Sequence, residues 1–151
     1  MTIDERIQKQ DTNDESTRLV LLHPDSGEVQ AKATASAAAL KEAQAVFGKS
    51  RQQVERALRD ALADLDAGRL KKVVLNDLKE EPTEPLHFVA WYIYRDYKDI
   101  SFGVVHYDLR RSTTGPDDVP TSVRNRLRFD THKMLVSGNE EADRLLGVFK
   151  S

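Results

Sequence analysis

The chain has 151 residues, of which 39% are hydrophobic and 32% charged, a balance typical of a globular domain with a modest core. Twenty-three Lys and Arg against 25 Asp and Glu give a net charge of −2, which excludes a polycation or a strongly acidic chain. The absence of cysteine excludes disulfide frameworks, thiolate zinc sites, iron–sulfur clusters and thiol catalysis.

The first residues differ in composition from the rest. Residues 1–17 are rich in Asp, Asn, Gln, Thr and Ser, which predicts a disordered or loosely attached N-terminal arm. Residues 18–151 are expected to form a single α+β domain. No apolar run approaches the ~20 residues of a bilayer-spanning helix, and the N-terminus has no apolar signal region. We therefore expect a cytoplasmic protein without membrane contact.

Two local patterns come next in the chain. An apolar run at 19–22, a turn at 23–27 and alternation over 28–33 predict a first β-hairpin. An alanine-rich stretch and a following apolar stripe then predict an αα-hairpin over about 35–67. The stripe consists of Val54, Leu58, Ala61, Leu62 and Leu65.

The strongest strand signal is a β-hairpin over 86–109, rich in aromatic and β-branched residues. If Arg95 pairs with Ile100 across its turn, Gly103 lies opposite Tyr92, and His87, His106 and Asp108 share one face. Both faces are mostly apolar, so helices must cover them. A helix over about 122–136 is a candidate for this role, and a short one over about 140–146 follows it.

These elements predict an α+β fold: an antiparallel sheet around the central 86–109 hairpin, covered by the αα-hairpin (about 35–67) and the C-terminal helix (about 122–136).

The turn between the two predicted helices carries the most suggestive motif, Phe47-Gly-Lys-Ser-Arg-Gln-Gln-Val-Glu-Arg-Ala-Leu58. It resembles the turn and second helix of helix-turn-helix DNA-binding proteins, and Leu65-Asp-Ala-Gly-Arg-Leu70 looks like the helix-to-strand exit of winged-helix versions. The resemblance, over 37–67, implies that the N-terminus of the second helix meets a phosphate and that Arg and Gln side chains read base edges. The implied contacts are Ser50, Arg51, Gln52, Gln53 and Arg56.

Local charge favours an anionic partner more than the net charge does. Residues 49–72 carry seven basic and four acidic side chains, and residues 110–133 carry six and three, so each stretch has a charge of +3. The loop that begins Arg110-Arg-Ser-Thr-Thr is a further candidate for binding a phosphate or a partner.

We thus predict a small non-enzymatic binding or regulatory protein that contacts DNA through the 37–67 segment and needs no cofactor. One alternative is a protein–protein interaction module, such as an adaptor, an inhibitor or an immunity-like protein. It would use the aromatic hairpin or the helix pair, and a second copy of the chain is among its partners. The third is an enzyme that uses His87, His106 and Asp108 for metal binding or acid–base chemistry.

Overall fold

The computed structural model describes residues 1–115 and 119–136, so the short helix predicted at about 140–146 lies outside the described residues. The fold belongs to the α+β class, as predicted. In chain order the elements are α1 (Ile3–Arg6), β1 (Ile7–Gln10), β2 (Thr17–Leu22), β3 (Val29–Ala35), α2 (Ala37–Phe47), α3 (Arg51–Asp66), β4 (Val73–Glu80), β5 (His87–Asp96), β6 (Asp99–Asp108), β7 (Thr113–Gly115) and α4 (Thr121–Val136).

The seven strands form one sheet in the order β1-β2-β3-β6-β5-β4, with β7 paired to β6. The pairs β1–β2, β2–β3 and β6–β7 are antiparallel. Strands β3 and β6 are parallel, with Lys32 opposite Asp99 and Ala35 opposite Phe102. The sheet is therefore mostly antiparallel, as predicted, with one parallel pair between β3 and β6. Parallel neighbours need a long connection, and the αα-hairpin lies between these two strands in the chain.

The N-terminal segment differs from the predicted loose arm. Residues 3–10 form α1 and β1, and β1 adds to the edge of the sheet with Ile7 opposite Leu21. The side chain of Ile7 is buried. A scan for apolar residues misses this strand because edge pairing is made by backbone hydrogen bonds, which composition does not report.

A buried arginine also holds this segment. Arg6 donates through Nε to the carbonyl of Leu22 at 2.9 Å, and through its terminal nitrogens to the Asp66 carboxylate at 3.0 and 3.1 Å. A fourth hydrogen bond, of 3.2 Å, joins Arg6 to Gln30 Oε1. The paired fork geometry with a carboxylate is the strongest form of this interaction.

Contacts divide the chain into two compact units. The first unit comprises Met1–Val74 and Trp91–Val104, and the second comprises Leu75–Ala90 and the described residues from Val105 onward. Strands β5 and β6 contribute to both units.

The core of the first unit forms where α3 packs on β2 and β3. The predicted stripe of α3 is buried at Val54, Leu58 and Leu62, and β3 meets the helix with small alanine side chains. The αα-hairpin is confirmed: α2 ends at Gly48, whose φ of +62° is a left-handed conformation that suits glycine, and α3 begins after a capping box at Ser50.

Aromatic packing in the first unit agrees with the predicted register of the 86–109 hairpin. A Cβ built on Gly103 would lie 2.4 Å from Cζ of Tyr92, so these residues face each other as expected. Trp91 stacks on Phe102, with ring centroids 5.4 Å apart, and Lys49 Nζ lies 4.7 Å from the centroid of the Trp91 ring.

In the second unit, α4 matches the predicted C-terminal helix and buries one residue per turn: Val123, Leu127, Thr131 and Leu135. This spacing of four places them in one stripe. No helix among the described residues has both the length and the apolarity that crossing a bilayer requires.

Candidate functional site

The second unit contains a cleft of about 520 Å³ between the β4–β5 connector, the end of β6 and β7. The three predicted residues His87, His106 and Asp108 all line it. The structure therefore brings together the groups that the hairpin register placed on one face. The connector, the turn after β6 and β7 supply the other polar groups, namely Thr83, Glu84, Arg110, Arg111 and Thr113.

Two histidines form the centre of the cleft. His87 Nε2 lies 3.1 Å from His106 Nδ1, and the ring planes are tilted by 57°. One nitrogen must donate and the other accept, so the pair holds a single proton between the rings. His87 Nδ1 is buried without a hydrogen-bond partner, and Glu84 Oε2 lies 3.4 Å away.

Asp108 has a structural role at the cleft. Its Oδ1 accepts a hydrogen bond of 3.0 Å from the backbone N–H of Arg110, which closes the turn after β6. The same carboxylate lies 3.5 Å from Arg110 Nε and 3.7 Å from Arg111 Nε. Within residues 1–115 and 119–136, no group of three or more His, Asp and Glu side chains is placed to hold a metal ion. The cleft geometry thus offers hydrogen bonding and proton exchange.

Strained backbone flanks the cleft on both sides. Leu86, next to His87, has a φ of +65°, and Ser112, next to Arg111, has a φ of +52°. Such conformations cost about 1–3 kcal/mol each in a residue other than glycine. Hydrogen bonds hold Leu86 in place: its N–H donates to Glu80 Oε1 and its carbonyl accepts from Leu109, both at 2.9 Å. Strain of this kind is concentrated at functional sites.

Strand β7 leaves room beside the histidines. It pairs with β6 so that Gly115 lies opposite His106 and Thr113 opposite Asp108. A Cβ at Gly115 would meet no atom within 4 Å. The absence of a side chain at this position therefore keeps the space next to His106 open.

The predicted DNA contacts lie at the start of α3, in the first unit. Ser50 and Gln53 bond to each other's backbone, at 3.2 Å to Ser50 Oγ and 2.8 Å to Gln53 Oε1. The Arg51 guanidinium donates to the carbonyls of Glu15 and Ser16. Three of the five predicted contacts are thus engaged within the protein, while the side chains of Gln52 and Arg56 are exposed.

A groove of about 690 Å³ runs beside these residues, between α3 and β1. Its acidic group, Glu55, accepts from Lys9 Nζ at 2.8 Å and from Thr17 Oγ1 at 2.7 Å. Burial acts to raise the pKa of Glu55, but these hydrogen bonds and the charges of Lys9 and Arg51 outweigh it and lower that pKa below its ordinary value. The groove therefore holds a carboxylate that two neighbours already satisfy.

Comparison of the chain with protein-family models, with curated proteins and with solved structures finds no match.

The aromatic hairpin, the candidate surface for a protein partner, is mostly core. Tyr92, Phe102 and Tyr107 are buried and Trp91 is half-buried. Among the described residues, the exposed large apolar side chains are Tyr97, at the tip of this hairpin, and Met1, Val29 and Phe129 outside it.

Sequence reasoning found the histidine pair through strand alternation and noted the loop that starts at Arg110. It missed Glu84, whose approach to His87 depends on the path of the β4–β5 connector. Gly115 belongs to the loop that starts at Arg110, but its position opposite His106 was missed, because β7 has only three residues and carries no strand signal of its own.

Proposed function

We propose that the cleft of the second unit binds a small ligand that carries an anionic group, such as a phosphate monoester or a carboxylate. The observation that carries this proposal is the 3.1 Å contact between His87 Nε2 and His106 Nδ1 inside a cleft that also contains Arg110 and Arg111. Arginine is over-represented where proteins recognise phosphate and carboxylate groups, and imidazole is a common donor and acceptor of protons near neutral pH.

The arginines at this cleft are available to an anion. Their side chains are 50% and 79% exposed, whereas that of Asp108 is 12% exposed. A strong charge-assisted N–H···O bond measures roughly 2.7–2.9 Å. The distances of 3.5 and 3.7 Å to Asp108 are longer, so a ligand oxygen can form the shorter contact. The planar fork of arginine suits phosphate and carboxylate oxygens.

The histidine pair adds proton chemistry to this recognition. A hydrogen-bonded pair of imidazoles can donate a proton to a bound ligand oxygen and take it back. General acid–base catalysis on the bound ester is the enzymatic form of the same proposal.

Inorganic phosphate is the first probe. Its binding is monitored by ¹H–¹⁵N NMR through the histidine side-chain signals and the Gly115 amide signal. We expect saturable shifts at His87, His106 and Gly115 that chloride at equal ionic strength does not produce. Replacing Arg110 and Arg111 together with glutamine should weaken phosphate binding at least tenfold, because each charge-assisted bond contributes about 1.5–3 kcal/mol.

Two further variants make this test specific. Gly115→Leu fills the open space beside His106 and should abolish the shifts without unfolding the chain, since this glycine has no positive φ. Arg56→Gln removes an exposed arginine of the first unit and should leave the phosphate-induced shifts unchanged. Equal phosphate affinity in the wild type and in the Arg110/Arg111 double variant would refute the proposal.

As a second candidate we propose that α3 contacts duplex DNA, which the exposure of Gln52 and Arg56 favours. We expect Arg51→Ala with Arg56→Ala to weaken duplex binding about tenfold in a gel shift, and to reduce its dependence on salt, because each lost phosphate contact lowers the salt slope by about one. The control is Arg69→Ala, which removes an arginine that is 72% exposed beyond the end of α3. Binding that the double variant leaves intact would count against this contact.

A further inference from the structure

The outward face of α4 carries an aromatic side chain where an amphipathic helix is ordinarily polar. The buried stripe of α4 includes Leu127, and Phe129 follows it by two positions, about 200° around the helix. The Phe129 side chain accordingly points away from the core and is 59% exposed. A single exposed apolar residue is common on protein surfaces, so its surroundings decide whether it has a role.

Basic side chains outnumber acidic ones on the helix that carries this phenylalanine. Lys133, one turn further along, places its Nζ 5.0 Å from the centroid of the Phe129 ring. The neighbouring Arg128 is exposed. The one acidic residue of the helix, Asp130, forms an ion pair of 3.0 Å with Arg126. The helix as a whole has four basic residues against this one carboxylate.

A second exposed aromatic provides the contrast within the same protein. Tyr97, at the tip of the β5–β6 hairpin, is 81% exposed, and Lys98 Nζ lies 5.6 Å from its ring centroid. The other charged residues next to it are Arg95, Asp96 and Asp99, so this tip has two basic and two acidic side chains. The two sites share an aromatic ring and a lysine, but the α4 helix has a net positive charge whereas the charges around Tyr97 balance.

An exposed ring on a positively charged helix has the chemistry of a stacking platform for a polyanion. Phosphates are held by Lys and Arg, while an aromatic ring stacks on a base without regard to its sequence. Stacking requires an unpaired base, since the faces of paired bases are covered in a duplex. We propose that the exposed surface of α4 around Phe129 and Lys133, with Arg128 flanking it, docks single-stranded nucleic acid.

The test uses fluorescence anisotropy of the full chain with a labelled single-stranded oligo(dT) 20-mer. We expect binding that weakens as salt is raised. Phe129→Ala should weaken it about tenfold, because one lost base stack is worth that factor or more. Lys133→Ala should reduce the salt dependence. Phe129 is exposed, so Phe129→Ala should leave the fold intact, which far-UV circular dichroism checks.

Tyr97→Ala is the matched control, because it removes an exposed aromatic that sits beside a lysine in a segment whose basic and acidic residues balance. The proposal requires that this variant bind oligo(dT) as tightly as the wild type. No binding by the wild type, equal losses in the two alanine variants, or a loss of duplex binding in Phe129→Ala as large as its loss of oligo(dT) binding would each overturn it.

Discussion

Arg6→Ala is expected to lower the free energy of unfolding by about 2–3 kcal/mol. The Arg6 side chain is 10% exposed and makes four hydrogen bonds to Leu22, Gln30 and Asp66. Truncation leaves the Leu22 carbonyl and the Asp66 carboxylate without these donors. The Asp66 side chain is 30% exposed, so water solvates it in part and the loss stays below that of a fully buried pair.

Urea-induced unfolding measures this difference, and a second arginine gives the control. Arg69 pairs with Asp64 at 3.4 Å in the same unit, but the two side chains are 72% and 46% exposed. Arg69→Ala should therefore change the free energy of unfolding by less than about 0.5 kcal/mol. If the two variants were equally stable, the N-terminal segment would not be held by Arg6 in the way described.

Gly103→Ala is expected to lower the free energy of unfolding by about 2–3 kcal/mol. This is opposite to the usual effect of the substitution. Alanine in place of glycine in a strand ordinarily stabilises a protein, because glycine loses more backbone freedom on folding. Here the new methyl group would lie 2.4 Å from the ring of Tyr92, which is 7% exposed, so the ring must move within a packed core.

A double-mutant cycle with Tyr92→Leu separates this clash from other effects of the methyl group. Leucine is shorter than the tyrosine ring, so Gly103→Ala should become nearly neutral, within about 0.5 kcal/mol, in the Tyr92→Leu background. The same cost in both backgrounds would show that the ring of Tyr92 is not the cause.

The parts of the fold that sequence reasoning predicted rest on local or regularly spaced signals. The capping box joins residues three apart, Ser50 and Gln53, and the stripe of α3 repeats at the helical period. In the central hairpin, strand alternation together with one assumed turn placed Gly103 opposite Tyr92, and the structure has the same facing.

What could not be predicted depends on partners that are distant in the chain. The burial of Arg6 requires Asp66, 60 residues away, so residues 1–17 looked polar and unattached. The parallel pairing of β3 with β6 follows from the route of the chain through the αα-hairpin, which no strand pattern contains.

The candidate site also contains some residues that local patterns predict and others that depend on the path of the chain. The histidines follow from alternation along β5 and β6, whereas Glu84 reaches His87 only because the connector bends back through the strained Leu86. The role of Asp108 also changed. Its approach to His87 across the ladder suggested a ligand, but its hydrogen bond to the backbone of Arg110 makes it part of a turn.

The stacked Trp91 also equips the molecule with an optical reporter. It is the only tryptophan of the chain and it lies in the first unit, against Phe102 and under Lys49. Intrinsic tryptophan fluorescence therefore records the packing of the first unit around Trp91, while circular dichroism records helices and strands of both units. Superimposable curves from the two signals would mean that both units unfold as one cooperative body, and separate midpoints would give each unit its own stability.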